Sequence, residues 1–219
     1  EETKVIGLVS QMDGNLEEPK PKDLYEWGTA AMILKKFKMP DGSEQLIVQG
    51  IYRFKVLEYN QFEPHFEATV LPAQEYIKQT VKVEALVNNL KMLFQKIVDL
   101  SPYLTGEHRV MVLNTEDPGK LTDVIASQVN FPVSEKQQIL EITDVKGRLE
   151  KVHYLLNKEL QVLELGSKIQ SEVQGELNKT QRQYYLREQM KAIKKELGEY
   201  EDESTEIEDL REKLSEIKM

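Results

Sequence analysis

Proline divides this chain more sharply than any other residue. All eight prolines fall at or before Pro132. Nothing from 133 to 219 therefore breaks a helix by removing a backbone donor and clashing with the preceding turn. Before Pro72 the text is β-rich: Lys4 to Ser10 is a short apolar run, and 29–39 and 44–59 are dense in Ile, Val, Leu, Phe and Tyr. Met39-Pro40-Asp41-Gly42-Ser43 joins the last two. Pro presets φ and Gly accepts the left-handed conformation, so the pattern predicts a hairpin. A further strand is expected over 62–71, with Phe66, Ala68 and Val70 on one parity, and 15–23 reads as a surface loop.

After Tyr76 the apolar period changes to 3.6. Val83, Leu86, Leu90, Leu93, Phe94, Ile97 and Leu100 share one face of a helix that Ser101-Pro102 ends. A short helix is expected over 107–113. Asp117-Pro118 has the form of an N-cap followed by Pro at the first helical position, with Leu121, Val124, Ile125 and Val129 as its stripe. Ser134 to Gln137 has capping-box form, with Ile139, Leu140 and Ile142 behind it. From about Asp144 to Leu197 apolar residues recur at steps of three and four, or their multiples, with Lys, Glu and Gln between them. This predicts one helix or two nearly continuous ones, with Gly166 and Gly175 as candidate bends. At 1.5 Å per residue such a helix is roughly 80 Å long, whereas a compact body of this chain length is about 45 Å across. A projecting helix that needs a partner for its stripe is the expectation.

The expected fold is therefore α+β. A β-rich lobe over 1–73, mostly antiparallel, precedes a helical bundle over 74–143 and a long projecting helix over 144–198. Residues 199–219 form an acidic hinge and the start of another helix. Seven acids lie between Glu199 and Asp209, Ser204 or Thr205 is a candidate cap, and Ile207, Leu210, Leu214 and Ile217 resume a helical stripe.

The chemistry is mostly negative. Without cysteine there is no disulfide, thiolate zinc site or Cys nucleophile. His65, His108 and His153 sit on different expected elements without paired-ligand spacing, so no metal site is expected. Gly119-Lys120-Leu121 lacks the upstream glycine and the hydroxyl of a phosphate loop, and no Gly-x-Ser-x-Gly elbow occurs. No catalytic residue is nominated. No apolar run is long enough to span a bilayer, and Glu1-Glu2 lacks a signal peptide's basic start, so no membrane partner is expected.

One charged segment stands apart. Lys179, Arg182, Arg187, Lys191, Lys194 and Lys195 surround Tyr184 and Tyr185, a mixture that suits a nucleic-acid strand. The net charge of -9 favours the plainer reading of a solvated helix face. DNA is the lesser partner expectation.

The run from Tyr184 to Glu199, YYLREQMKAIKKELGE, resembles the end of the amino-terminal region of the Lon family of ATP-dependent serine proteases. Pro21 to Ala31 with Leu46 to Gly50 is similar to that family's β-lobe, and Asp117 to Ala126 with Lys136 to Glu141 to its helical lobe. The blocks are collinear over nearly the whole chain. The resemblance implies that the family's first strand and helix belong before Glu1. It also implies that the ATPase module, with ATP and Mg, and the Ser-Lys dyad belong after Met219, so no cofactor is expected within this sequence.

It further implies a region that binds unfolded or tagged polypeptides and delivers them to its own ATPase and protease modules. The setting is a homohexamer in a bacterial cytoplasm or an organelle matrix. Two rival roles are a purely structural spacer that assembles the ring and a DNA-binding regulatory region using the basic helix. Tyr184, Tyr185, Leu186, Met190 and Ile193 are the leading substrate-contact candidates, because Met and aromatic side chains adapt to varied apolar partners. Packing within or between subunits is the equal alternative. Trp27, Tyr52, Phe54, Phe62 and Phe66 are weaker peptide-groove candidates, with ordinary core as the competing reading.

Overall fold

The computed structural model describes residues 4–197 together with Leu210 and Arg211. Four strands, β1 (Val5–Gln11), β2 (Leu24–Lys38), β3 (Glu44–Gln61) and β4 (Glu67–Pro72), form an antiparallel sheet in sequence order. Five helices follow: α1 (Val81–Leu100), α2 (Gly106–Asn114), α3 (Pro118–Gln128), α4 (Val133–Glu141) and α5 (Val145–Glu196). The fold class is α+β, as expected.

The β2–β3 hairpin closes at the expected turn. Gly42 has φ +86°, and Asp41 Oδ1 accepts from the Ser43 amide at 2.8 Å and from its hydroxyl at 2.6 Å. β1 pairs with β2 only as far as Met32, and β4 pairs with β3 only from Phe54 onward. The distal hairpin is thus a two-stranded ribbon, with Leu34, Phe37, Leu46, Ile47 and Val48 exposed. A bulge between Ile33 and Lys35 bends it, and another between Ala30 and Ala31 lies just before it, where β1 still pairs.

Phe54 supplies the sheet with its own small core. It pairs with Gly28, and its ring lies over both Gly28 and Gly7, where an added Cβ would come within 2.7 and 3.2 Å of it. The larger core is helical. Leu90, Phe94, Ile97, Leu121, Ile125, Ile139, Leu149, Val152 and Leu156 are almost completely buried together. Thr80 caps α1 and Asp117 caps α3, each through its side chain. Asp144 does the same for α5, its carboxylate accepting from the Gly147 amide at 3.0 Å.

Several boundaries differ from the sequence expectation. β2 begins at Leu24, five residues before 29, because it pairs with the far end of β1. β4 begins at Glu67, which leaves Phe62 and Phe66 in the β3–β4 connection. The capping box at Ser134 does not form. The Pro132 carbonyl accepts from the Glu135 and Lys136 amides, so the helix has already started at Val133.

The chain divides into two compact units, 1–163 and 164–219. The first contains the sheet, α1 to α4 and the opening turns of α5, from which Val145, Leu149, Val152, Leu155, Leu156 and Leu160 enter the helical core. In the second, α5 continues without interruption through Gly175 to Glu196, and it also runs unbroken through Gly166, so neither candidate bend ends it. None of its described residues is buried. The acidic hinge and the caps Ser204 and Thr205 lie outside the described residues; Leu210 is helical.

Candidate functional site

Where the sheet meets α4, the sheet face that carries Arg53 borders an open hollow of about 320 Å³, lined by Leu8, Trp27, Thr29, Ala31, Val48, Gly50 and Leu140 among others. Strand alternation creates it. Trp27, Thr29 and Arg53 share one face, because Thr29 pairs with Arg53 and Trp27 with Lys55. Gly50 keeps the recess open, since a Cβ there would lie 3.3 Å from the Thr29 methyl.

Two polar contacts fix its walls. Arg53 Nε donates to the Leu140 carbonyl at 3.1 Å, and Gln137 Nε2 donates to the Trp27 carbonyl at 3.1 Å. Behind them lies a charged junction. The Arg53 guanidinium also pairs with Glu75 and Asp123, and Arg148 pairs with Glu75 while donating from Nε to Thr122 Oγ1 at 2.9 Å. The chain around Glu75 is held by Val145 N donating to the Tyr76 carbonyl at 3.1 Å. Hydrogen bonding from Arg148 holds the Glu75 carboxyl below its ordinary range, with the Arg53 and Arg148 charges adding to the effect against the opposing influence of burial. Apolar and small polar residues line the hollow, and the charged junction reaches it through the Arg53 bond to the Leu140 carbonyl.

The five groove candidates are not brought together. Trp27 lines the recess. Tyr52 and Phe54 alternate with Arg53 and so project from the opposite face, Tyr52 exposed and Phe54 buried. Phe62 and Phe66 pack edge-to-face at 6.3 Å, and Phe66 packs on Tyr59 at 5.7 Å, in and beside the β3–β4 connection. Tyr184, Tyr185, Leu186, Met190 and Ile193 all lie on α5 in the second unit and are all at least half exposed. Lys179, Arg182, Arg187, Lys191 and Lys195 are exposed there too, and Lys194 is half-buried. Among the described residues no cluster of three or more His, Asp or Glu could hold a metal, and no helix is long and apolar enough to cross a membrane.

Residues 1–158, which contain the recess and the charged junction, match the family model described as the ATP-dependent protease La (LON) substrate-binding domain. The chain belongs to the Lon substrate-binding domain family. The Lon protease of Dictyoglomus thermophilum is 44% identical over 216 residues, spanning 99% of this chain and 27% of that protein. The Lon protease of Koribacter versatilis is 43% identical over 215 residues, 97% of this chain and 26% of that protein. The chain therefore spans about a quarter of the length of these relatives. The N-terminal domain of Mycobacterium avium complex Lon protease has the same fold, with a TM-score of 0.53 at 18% identity over 71% of this chain and 90% of that one.

Sequence reading missed Gln137, which holds the Trp27 carbonyl, and the junction of Arg53, Glu75, Asp123 and Arg148 beside the recess. Arg148 did leave a signal. It sits in an apolar stripe between Val145, Leu149 and Val152, where a charge is buried only with a partner.

Proposed function

We propose that this chain recognises polypeptides for an ATP-dependent protease, taking unfolded or degron-bearing segments into the apolar recess beside Trp27. The observation that supports this reading is the position of the recess, which lies wholly within residues matched by a substrate-binding family model. An extended segment presents alternate side chains at the spacing of a strand, and an apolar sheet face receives them. The exposed apolar residues of the β2–β3 ribbon extend the contact beyond Val48. The bound chain passes to the ATPase and protease modules of the same polypeptide, within a homohexamer in a bacterial cytoplasm.

Trp27 is the only tryptophan, so its emission reports on the recess. Titration with a permanently unfolded polypeptide is expected to give a saturable change. Val48→Glu is expected to weaken binding about tenfold, a loss of about 1.4 kcal/mol, without altering the far-ultraviolet circular dichroism. Unchanged affinity in that variant would overturn the recess as the contact.

A second contact is favoured by the exposure of Tyr184 and Tyr185, 68% and 62%, which is high for aromatic side chains without a function. Tyr184→Ala plus Tyr185→Ala is expected to lower affinity further. If affinity holds, these tyrosines are not in the binding surface. A chain that assembles yet has no affinity for unfolded polypeptide would instead be a spacer.

A further inference from the structure

We infer that a polypeptide binds as an added strand, hydrogen-bonded to the outer edge of β3 along 45–50, with every second side chain turned toward the recess beside Trp27. This deepens the proposed function by naming how the backbone is held, and it rests on that function.

Beyond the points where β1 and β4 stop, the β2–β3 ribbon has two outer edges, and the two are unlike. On β2, residues 34–38 carry Lys35, Lys36 and Lys38, and the bulge between Ile33 and Lys35 interrupts the pairing at Leu34. Lysines and bulges are the devices that keep a further strand from joining an edge. On β3, the run 45–50 reads Gln-Leu-Ile-Val-Gln-Gly, without a charge or a proline. Each of its residues has its own partner on β2, so no bulge interrupts it. All are exposed, and among the described residues none makes a backbone hydrogen bond outside the sheet. One edge is guarded and the other is not.

Alternate residues of an antiparallel strand aim both N–H and C=O away from the partner already bound. The outer edge of β3 is therefore a row of donors and acceptors about 20 Å long, and its complement is another extended backbone. With no charge in the run, and with Leu46, Ile47 and Val48 exposed, the occupant it suits is an uncharged, partly apolar segment of unfolded polypeptide. The edge is also continuous with the recess. Val48 and Gly50 line it, while Ile47 and Gln49 alternate to the opposite face. A strand laid beside β3 follows the same alternation, so every second side chain reaches the rim of the recess. Backbone pairing reads no side chain, which suits a site that accepts many sequences.

A peptide of about eight residues, alternating Val and Thr, tests the pairing through Trp27 emission of the 219-residue chain. Two further copies are methylated on the Val nitrogens or on the Thr nitrogens. Both keep every side chain, but only one loses the N–H groups that face β3. That copy is expected to bind about tenfold more weakly, and the other about as tightly as the parent peptide. Alternate amides within 45–50 should exchange with solvent about tenfold more slowly when the parent peptide is bound. Ile47→Lys with Gln49→Lys guards β3 as β2 is guarded, from the face away from the recess, and should weaken binding about tenfold. Methylated copies that bind alike, or a parent peptide that fails to bind a chain that still takes unfolded polypeptide, would overturn strand addition and leave the recess as the contact. Slow exchange at 45–50 that grows with the concentration of the chain alone would give the edge to a second copy and overturn it as well. No saturable change with either the peptide or the unfolded polypeptide would remove the proposed function too.

Discussion

Arg148 grips Glu75 with two parallel hydrogen bonds, Nη1 to Oε1 and Nη2 to Oε2, each 2.9 Å long. The partners are unequally placed, for the Arg148 side chain is fully buried whereas 35% of the Glu75 side chain is exposed. The arginine therefore depends on the glutamate more than the reverse. A buried cation that loses its partner keeps its desolvation penalty without compensation.

Glu75→Ala is accordingly expected to lower stability by about 3 kcal/mol in urea denaturation. Arg148→Met combined with Glu75→Leu should cost less than the single change, because no unpaired charge is then left inside. If the single variant unfolds at the wild-type midpoint, the junction does not hold the lobes.

Acid should weaken the same junction. The Glu75 carboxyl is lowered from its ordinary value of 4.5, chiefly by hydrogen bonding from Arg148. A carboxylate with a lower folded than unfolded value contributes fully above the unfolded value, and its contribution fades as pH falls through the folded one. The urea midpoint is expected to drop as pH falls below the ordinary value of 4.5. Glu75→Gln should flatten that drop; an equally steep profile in the variant would assign it to other carboxylates.

The Phe54 ring makes Gly28 obligatory. A Cβ on Gly28 would lie 2.5 Å from the Leu8 carbonyl oxygen and 2.7 Å from the ring, and the first contact is backbone that cannot rotate away. Gly28→Ala is expected to lose about 2 kcal/mol through strain. Phe54→Ala should lose about 3 kcal/mol by leaving a cavity, and thermal unfolding reads both. A wild-type melting temperature for Gly28→Ala would mean that β1 can shift away from β2.

Local signals in the sequence carried the elements and failed where tertiary contacts decide. Pro40 and Gly42 announced the hairpin because a turn is set by its own residues. The helical stripes were legible because a buried face repeats every 3.6 residues. Ser134 misled because its spacing to Gln137 satisfies a capping box, although the Pro132 carbonyl had already begun the helix. The recess had no linear signature, since Trp27, Val48 and Leu140 meet only when α4 packs on the sheet. The aromatics were grouped by residue type, but strand alternation sends Trp27 and Phe54 to opposite faces.

Tyr59 offers a test in the opposite direction, toward greater stability. Its hydroxyl is buried and has no hydrogen-bond partner among the described residues, while its ring meets the edge of Phe66. Burial raises the phenol pKa above its ordinary value, as expected where the anion has no donor to stabilise it. An unsatisfied buried hydroxyl costs its lost hydration and returns nothing. Tyr59→Phe keeps the ring contact and removes that cost, so stability is expected to rise by about 1 kcal/mol. Tyr59→Ala removes the ring as well and should lose about 3 kcal/mol. Denaturant unfolding of both variants separates the two groups, and a fall in stability for Tyr59→Phe would show that the hydroxyl is satisfied in solution.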